Sequence, residues 1–512
     1  MGCAFAERVG NIRAYLVKHL VLFLCLWSVG FGAEQQPRRN IVFLLADDMR
    51  SDCIRALGHP VIETPNLDAL VREGMVFSRA VAAYPICHVS RAEILTGTTA
   101  FRNGVGYRGT TIDPSLKTWA GTLRETGYHT WYRSTNGYVY PASHGAMREW
   151  GYHTWYCGKW HNDGKPTERG YEETRGLFTS GGASKDARRE PTKDHAGRTA
   201  TGYVGWTFKT NDGKVELEKG VGLTPGIDRH IADAAIELIC RKPDAPFFLH
   251  VNFTAPHDPR LLPPGYEHKY DPAHIPLPKN FRPQHPFDHG NLNGRDELLL
   301  PKPLQENELR AELAAYYACI SYMDEQIGRI VAALRETGQF ENTVIIFSSD
   351  QGLAIGSHGL LGKQNLYEHT FRVPLIFRGP GIPRRRRSNA DCYLRDLFPT
   401  VCDLTGTAIP PTVESRSLAP ILGGSAESVH AFVTGYFTDT QRALRRGDWK
   451  LIHYPRIGKT QLFDLHSDPD EMDDLAGKPE HAARIKEMIA LLQKTQKGFG
   501  DSCEIIGPAP SR

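Results

Sequence analysis

The side chains able to do chemistry in this sequence gather in a few short segments, foremost Pro85-Ile-Cys-His-Val-Ser-Arg-Ala-Glu-Ile-Leu-Thr-Gly97. Ala92-Glu-Ile-Leu95 reads as the opening turn of a helix, so Cys87 stands at a loop-to-helix junction with Ser90 and Arg91 just after it. Such a junction attracts anions, because unpaired main-chain N–H groups and the helix dipole both face it. A lone cysteine there is more often a small buried apolar residue than a nucleophile. Four further segments shift that balance: Asn40-Ile-Val-Phe-Leu-Leu-Ala-Asp-Asp48, Gly158-Lys-Trp-His161, Thr254-Ala-Pro-His257, and Phe347-Ser-Ser-Asp-Gln-Gly352 with Gly362-Lys363. Each is weak alone, since an isolated Asp-Asp is usually a turn or a helix cap.

The elements that must position these residues are legible from apolar patterning. Asn40-Ile-Val-Phe-Leu-Leu-Ala46 is a continuous apolar run ending in two carboxylates, the pattern of a central parallel strand buried on both faces. Pro246-Phe-Phe-Leu-His-Val-Asn-Phe253 repeats it and leads to His257, and Asn342-Thr-Val-Ile-Ile-Phe-Ser-Ser-Asp350 ends in a third carboxylate. Ligands of open α/β sheets bind beyond the carboxyl ends of the strands, so three strands deliver polar groups to one edge. Helices are expected over 64–74, 225–241 and 306–337. After Gly406 the segments become short and alternating: Ala431-Phe-Val-Thr434, Trp449-Lys-Leu-Ile-His453 and Gln461-Leu-Phe-Asp464, with a closing helix near 482–497. The predicted fold is α/β: an α/β/α sandwich around a large mixed, mostly parallel sheet over 34–405, then a smaller α+β subdomain over 406–512 with a small antiparallel sheet and a helix.

Arg124-Glu-Thr-Gly-Tyr-His-Thr-Trp-Tyr132 recurs almost unchanged as Arg148-Glu-Trp-Gly-Tyr-His-Thr-Trp-Tyr156. Both copies read as a helix end, a glycine turn and a strand, the first packing beside the second, but only the second continues into Lys159 and His161. Residues 176–222 lack periodicity and read as surface loops or a strand excursion near the cleft, and 260–303 as Pro-rich loop.

The 512 residues, 40% hydrophobic, can bury a large core, which excludes a disordered or fibrous protein. Residues 1–33 pair a basic start with the apolar run Leu20-Val-Leu-Phe-Leu-Cys-Leu-Trp27 and end in Gly30-Phe-Gly-Ala33, a signal-peptide pattern. That run falls short of the roughly 20 residues a membrane span needs. The expectation is a periplasmic or secreted protein with no span in the mature chain. Removing the segment lowers the formal net charge from +3 to +1, and nothing argues for nucleic acid. Arg384-Arg-Arg-Arg387 follows a turn-rich stretch and reads as a solvated loop. The remaining cysteines are irregularly spaced, neither a disulfide framework nor a zinc pattern, with room for one or two disulfides.

Taken together, the five segments and the C-x-x-S-R-x-x-x-L-T-G spacing at Cys87 resemble the formylglycine-dependent sulfatases of the alkaline phosphatase superfamily, exported bacterial-type members, over about residues 40–476. The resemblance implies that a formylglycine-generating or sulfatase-maturing enzyme oxidises Cys87 to formylglycine, whose hydrated aldehyde is the nucleophile, with Arg91 steadying it. It also implies a cation held by Asp47, Asp48, the modified Cys87, Asp350 and Gln351. Three carboxylates and an amide oxygen are hard ligands that suit Ca²⁺ better than Mg²⁺. A sulfate ester is anionic, so its cleavage needs cations around the sulfuryl oxygens, a strong nucleophile and an acid for the leaving alkoxide. By resemblance, Lys159 clamps the sulfate and His161 is a base, the two projecting to the same side of an extended segment. His257 and Lys363 hold the ester oxygen and protonate the leaving alcohol. The chain departs from the family at Val89, where Pro is usual, and at Gln351, where many members carry Asn or His.

For substrate contacts the candidates are Arg108, Arg133, Arg260 and His358, with Tyr107, Trp131 and Tyr132 as aromatic platforms. The expected activity is hydrolysis of sulfate esters on a sulfated oligo- or polysaccharide. The alternatives are a phosphomonoester or phosphodiester hydrolase of the same superfamily, and an inactive sulfated-glycan-binding protein, against which the intact Arg91, Lys159, His161, His257 and Lys363 argue.

Overall fold

In the computed structural model, residues 38–109, 111–126, 131–133, 139–141, 151–181, 193–243 and 245–505 are described. In chain order the first strands are β1 (Asn40–Ala46), β2 (Met75–Val81), β3 (Trp131–Arg133), β4 (Val139–Pro141), β5 (His153–Trp160), β6 (Glu173–Thr179) and β7 (Thr207–Lys209). They are followed by β8 (Phe247–Asn252), β9 (Thr343–Ser349), β10 (Leu375–Arg378) and β11 (Arg386–Tyr393). All but β3 and β4 form one nine-stranded sheet in the order β11-β2-β10-β9-β1-β8-β5-β6-β7. Only β10 and β7 run against the rest, which makes the sheet mixed and mostly parallel.

The alternation of side chains along β1 shows why its sequence is apolar throughout. Ile41, Phe43 and Leu45 enter one core, whereas Val42, Leu44 and Ala46 enter another on the opposite face. The second core is roofed by α1 (Pro65–Glu73), α3 (Ile227–Cys240) and α4 (Glu306–Glu336), and the first contains α2 (Cys87–Thr96). Gly74 ends α1 because a Cβ there would lie 2.1 Å from the carbonyl oxygen of Phe377. A four-stranded antiparallel sheet, β12 (Val433–Phe437), β13 (Gln441–Arg446), β14 (Trp449–Tyr454) and β15 (Lys459–Asp464), follows, and α5 (Ala482–Phe499) packs on it.

Four expectations are corrected. The helix after the loop starts at Cys87 itself, not at Ala92, so the cysteine is a first-turn residue. The duplicated segment's first strand, β3, pairs with β4 in a separate ladder and does not join β5. Of the arginine run, Arg386 and Arg387 open the edge strand β11, exposed on a position where charge discourages edge-to-edge pairing. β13 was not anticipated. Among the described residues all eight cysteines are free, and no helix is long and apolar enough to cross a membrane.

A buried charge cluster joins the antiparallel sheet to the larger one. Arg445 of β13 reaches Glu368 at 2.9 Å and Asp391 of β11 at 2.8 Å. Lys450 of β14 reaches Glu368 at 3.0 Å and Glu471 at 2.8 Å, and Arg79 of β2 reaches Asp391 at 2.8 Å.

Candidate active site

The loops leaving the carboxyl ends of β1, β5, β8 and β9 meet the first turn of α2. Asp47 and Asp48 follow β1, Asp48 with a left-handed φ of 72°. Its main-chain N–H donates to Asp350 Oδ1, just past β9, at 3.1 Å, and its carbonyl accepts the Tyr316 hydroxyl at 2.7 Å. Lys159 lies on β5 next to Gly158, which has φ 90°, and a Cβ on that glycine would sit 1.9 Å from Asn252 O of β8. Only glycine permits the close approach that turns Lys159 into the site. His257 is carried by the loop after β8, whose Thr254 and Ala255 N–H groups donate to the buried Asp228 of α3.

Cys87 Sγ lies 3.3 Å from Asp47 Oδ1 and 3.2 Å from Gln351 Nε2. Arg91, one turn further along α2, donates through Nε to Asp350 Oδ2 at 2.9 Å and stands 3.6 Å from Asp47. Lys159 Nζ is 2.5 Å from Asp47 Oδ2, and Tyr203 donates its hydroxyl to the same oxygen. Lys363 bridges Asp48 Oδ2 at 2.8 Å and His257 Nε2 at 2.9 Å. As Lys363 can only donate, Nε2 accepts and the opposite Nδ1–H donates to Asp258 O at 2.6 Å. His161 stands beside this network, its ring against Trp206 and His88, with its buried Nδ1 unpartnered among the described residues.

Burial and crowding set the protonation tendencies. Burial, with Asp47 and Asp350 nearby, pushes Asp48 up to about 7 against the pull of Lys363. Asp47 is also pushed up by burial, but Lys159, His257, Arg91 and Lys363 outweigh this and hold it well below the usual carboxylate range. Burial, then Lys363, drives His257 down to about 3, so it is neutral. Burial pushes the Cys87 thiol up, with Asp47 adding to the effect, which disfavours a free thiolate.

The donor set fits a divalent cation. Ligand atoms of Asp47, Asp48, Cys87 and Asp350 all lie within 4.8 Å of one another. Gln351 Oε1 is buried with no hydrogen-bond partner among the described residues, an orphaned oxygen of the kind a hard cation accepts. Nε2 faces Asp48 and Cys87, and a half-turn of the terminal amide brings the oxygen to that place.

Nine expected residues thus form one connected network, with His161 beside it. The substrate candidates do not converge. Arg108 is exposed, and the side chain of Arg133 lies outside the described residues. Arg260 is buried, paired with Glu312 and over the Tyr316 ring. His358 is buried and stacked on Tyr367 at 4.0 Å, hydrogen-bonded to Asn280. Both are buried, Arg260 against a carboxylate and His358 against an amide and a tyrosine ring, away from the connected network. Sequence reasoning missed Tyr203, Trp206, Asp258 and Arg295. All lie in segments without periodicity, so no pattern in the sequence marks them.

The Sulfatase family model matches residues 39–407, and a second model, N-sulphoglucosamine sulphohydrolase, C-terminal, matches 356–498. The chain therefore belongs to the sulfatase family, within the alkaline phosphatase superfamily, and is a sulfuric ester hydrolase. It is 28% identical to an arylsulfatase of Clostridium perfringens, over 92% of this chain and 98% of that one. It is 26% identical to an N-acetylglucosamine-6-O-sulfatase of Bacteroides thetaiotaomicron, over 92% and 88%. In fold it is similar to a structure solved in complex with its substrate D-glucosamine-2-N,6-O-disulfate, with a TM-score of 0.71, 24% identity and coverage of 91% and 99%. A phosphonate monoester hydrolase from Silicibacter pomeroyi has the same fold, with a TM-score of 0.70, 22% identity and coverage of 91% and 96%.

Proposed function

We propose that this sulfatase releases sulfate from a sulfated sugar, using a formylglycine at position 87 and a Ca²⁺ ion held by Asp47, Asp48, Asp350, Gln351 and residue 87. The observation that carries the reading is the convergence of Cys87, three carboxylates and three cationic side chains in one buried cluster. When present, the formylglycine supplies a hydrated aldehyde as nucleophile toward sulfur, and the cation lowers the pKa of its attacking hydroxyl. Three carboxylates against Arg91, Lys159 and Lys363 leave the cluster near neutral, so added divalent charge makes it attractive to an anionic ester. Lys159 and His161 clamp the sulfuryl oxygens and move a proton. Lys363, donating to neutral His257 at 2.9 Å, protonates the leaving alkoxide, and Asp258 keeps the imidazole oriented. Val89 occupies a first-turn position of α2 whose N–H has no intrahelical acceptor, so the helix accommodates either the family's usual Pro or the Val found here.

A sugar substrate is supported by the name of the Bacteroides thetaiotaomicron relative and by the C-terminal family match. Residues 1–33 are read as a cleaved signal for export, 34–405 as the catalytic domain and 406–512 as the C-terminal subdomain. The test is a desulfation panel of defined sulfated mono- and oligosaccharides with phosphate and phosphonate esters alongside. Sulfate release from a sugar is expected, and turnover confined to the phosphorus esters contradicts the reading.

A further inference from the structure

Thr201-Gly-Tyr-Val-Gly-Trp206 comes from a segment with no pattern to mark it, yet it enters the catalytic cluster. Tyr203 is buried, its hydroxyl bonded to Asp47 Oδ2, its ring centroid 5.0 Å from Lys159 Nζ and edge-on to His257 at 4.7 Å. Its backbone is left-handed, with φ 57°. That conformation is unfavourable for a non-glycine residue and persists only where the surroundings impose it. Here they do. Gly202 is pressed so close to Asp258 that an added Cβ would lie 2.6 Å from its carbonyl oxygen. Arg295 ties Thr201 to Asp258, and the Trp206 N–H donates to Tyr203 O at 3.1 Å while its ring meets Tyr203 at 4.9 Å.

The consequence falls on Asp47. Its Oδ1 faces Cys87 and the other candidate ligand atoms, while its Oδ2 is taken by Lys159 and Tyr203. A carboxylate pinned through one oxygen presents the other in a fixed direction, which is how outer partners orient metal ligands and change metal affinity by about 10–100-fold.

We propose that Tyr203 is a positioning residue that fixes Asp47 for cation binding and, through Asp47, governs turnover instead of substrate affinity. This rests on the metal reading above. The test uses the full-length matured enzyme and its Tyr203→Phe variant, each stripped with chelator and titrated calorimetrically with Ca²⁺, followed by kinetics at saturating Ca²⁺. The variant should bind Ca²⁺ about tenfold more weakly or worse, with kcat several-fold lower and KM for the sulfated sugar unchanged. Tyr454→Phe, which removes a hydroxyl bonded to Gln461 in the antiparallel sheet at 2.9 Å, should lower the melting temperature without moving Ca²⁺ affinity. If Tyr203→Phe behaves like Tyr454→Phe, or like the wild type, the proposal is overturned. If the wild type itself binds no divalent cation, the metal reading has failed and Tyr203 with it, an outcome visible before any variant is titrated. Should the phenylalanine variant not fold, Gly202→Ala displaces the same loop and must show the same loss of Ca²⁺ affinity, or the proposal falls.

Discussion

Two buried charge clusters invite comparison. At the seam between the two sheets, Arg445, Lys450 and Arg79 face Glu368, Glu471 and Asp391, and the guanidinium of Arg445 spends its donors on two carboxylates and the carbonyl of Arg79. At the ends of β1 and β9, Arg91, Lys159 and Lys363 face Asp350, Asp47 and Asp48 with the same balance of charge. The difference is in what is left over. Among the described residues, the candidate active-site cluster retains a Gln351 Oε1 and an Arg91 Nη1 without a hydrogen-bond partner beside a cysteine at a helix start, whereas at the seam the one such atom, Glu471 Oε1, still lies 2.8 Å from Lys450 Nζ. Charges that use one another up hold a fold together, whereas charges arranged around unfilled valences await a ligand.

The sharpest way to break this comparison is Asp350→Asn. Turnover should fall by about a thousandfold or more, on the scale of losing a principal electrostatic element, while the melting temperature holds or rises, since crowded catalytic charges are seldom optimal for stability. Chelation should silence the wild type and added Ca²⁺ restore it. Parallel kinetics and calorimetry decide, and a variant that unfolds would put this cluster in the same class as the seam.

Arg445→Ala should do the reverse. Leaving Glu368 and Asp391 buried without their cation costs about 3–5 kcal/mol of folding stability in chemical denaturation, with kcat per folded molecule unchanged. Lys159→Ala and His161→Ala come next. Each should lower kcat by about a hundredfold through loss of a positioned charge or proton carrier, and a mere rise in KM would remove them from the chemistry.

The smallest effect concerns acid. Burial drives His285 down to about 4 and His289 down to about 3, so both are neutral in the fold but take up protons near 6.5 when unfolded. A depressed histidine pKa means the unfolded chain binds more protons between those values. Stability is then fully present above about pH 6.5 and lost as pH falls toward about 3. His289→Gln should flatten that loss by an amount of order 1 kcal/mol, read from melting curves at pH 7 and pH 4.5. An unchanged acid limb would show that His289 is not among the groups responsible.

Much of the candidate site was legible because β1 is an unbroken apolar run leading into two acids and β9 carries Val344-Ile-Ile-Phe347 ahead of Ser-Ser-Asp350, patterns that suit strands buried on both faces. Helix α2 was harder. All ten of its residues are buried, so no amphipathic stripe marks where it begins, and the sequence points to Ala92, not Cys87, as its opening. Arg260 and His358 are candidates by residue type, and sequence does not reveal that Glu312 and Tyr367 lie against them in the interior. Tyr203 and Arg295 escaped because their contacts are made by loops, which carry no period, across distances in sequence that only the folded chain closes. β13, with only Ala443 and Leu444 between polar Gln441-Arg442 and Arg445-Arg446, lacks the apolar alternation that marks β14 and β15.

The central claim is that residue 87 acts as a modified cysteine at the heart of a ligand-awaiting charge cluster. Mass spectrometry of the tryptic peptide Ala80–Arg91, on preparations whose sulfatase turnover has been measured in the same samples, tests it most directly. The account predicts that the fraction of peptide carrying an aldehyde in place of the thiol rises and falls with kcat. Fully active protein in which residue 87 is only unmodified cysteine would contradict it.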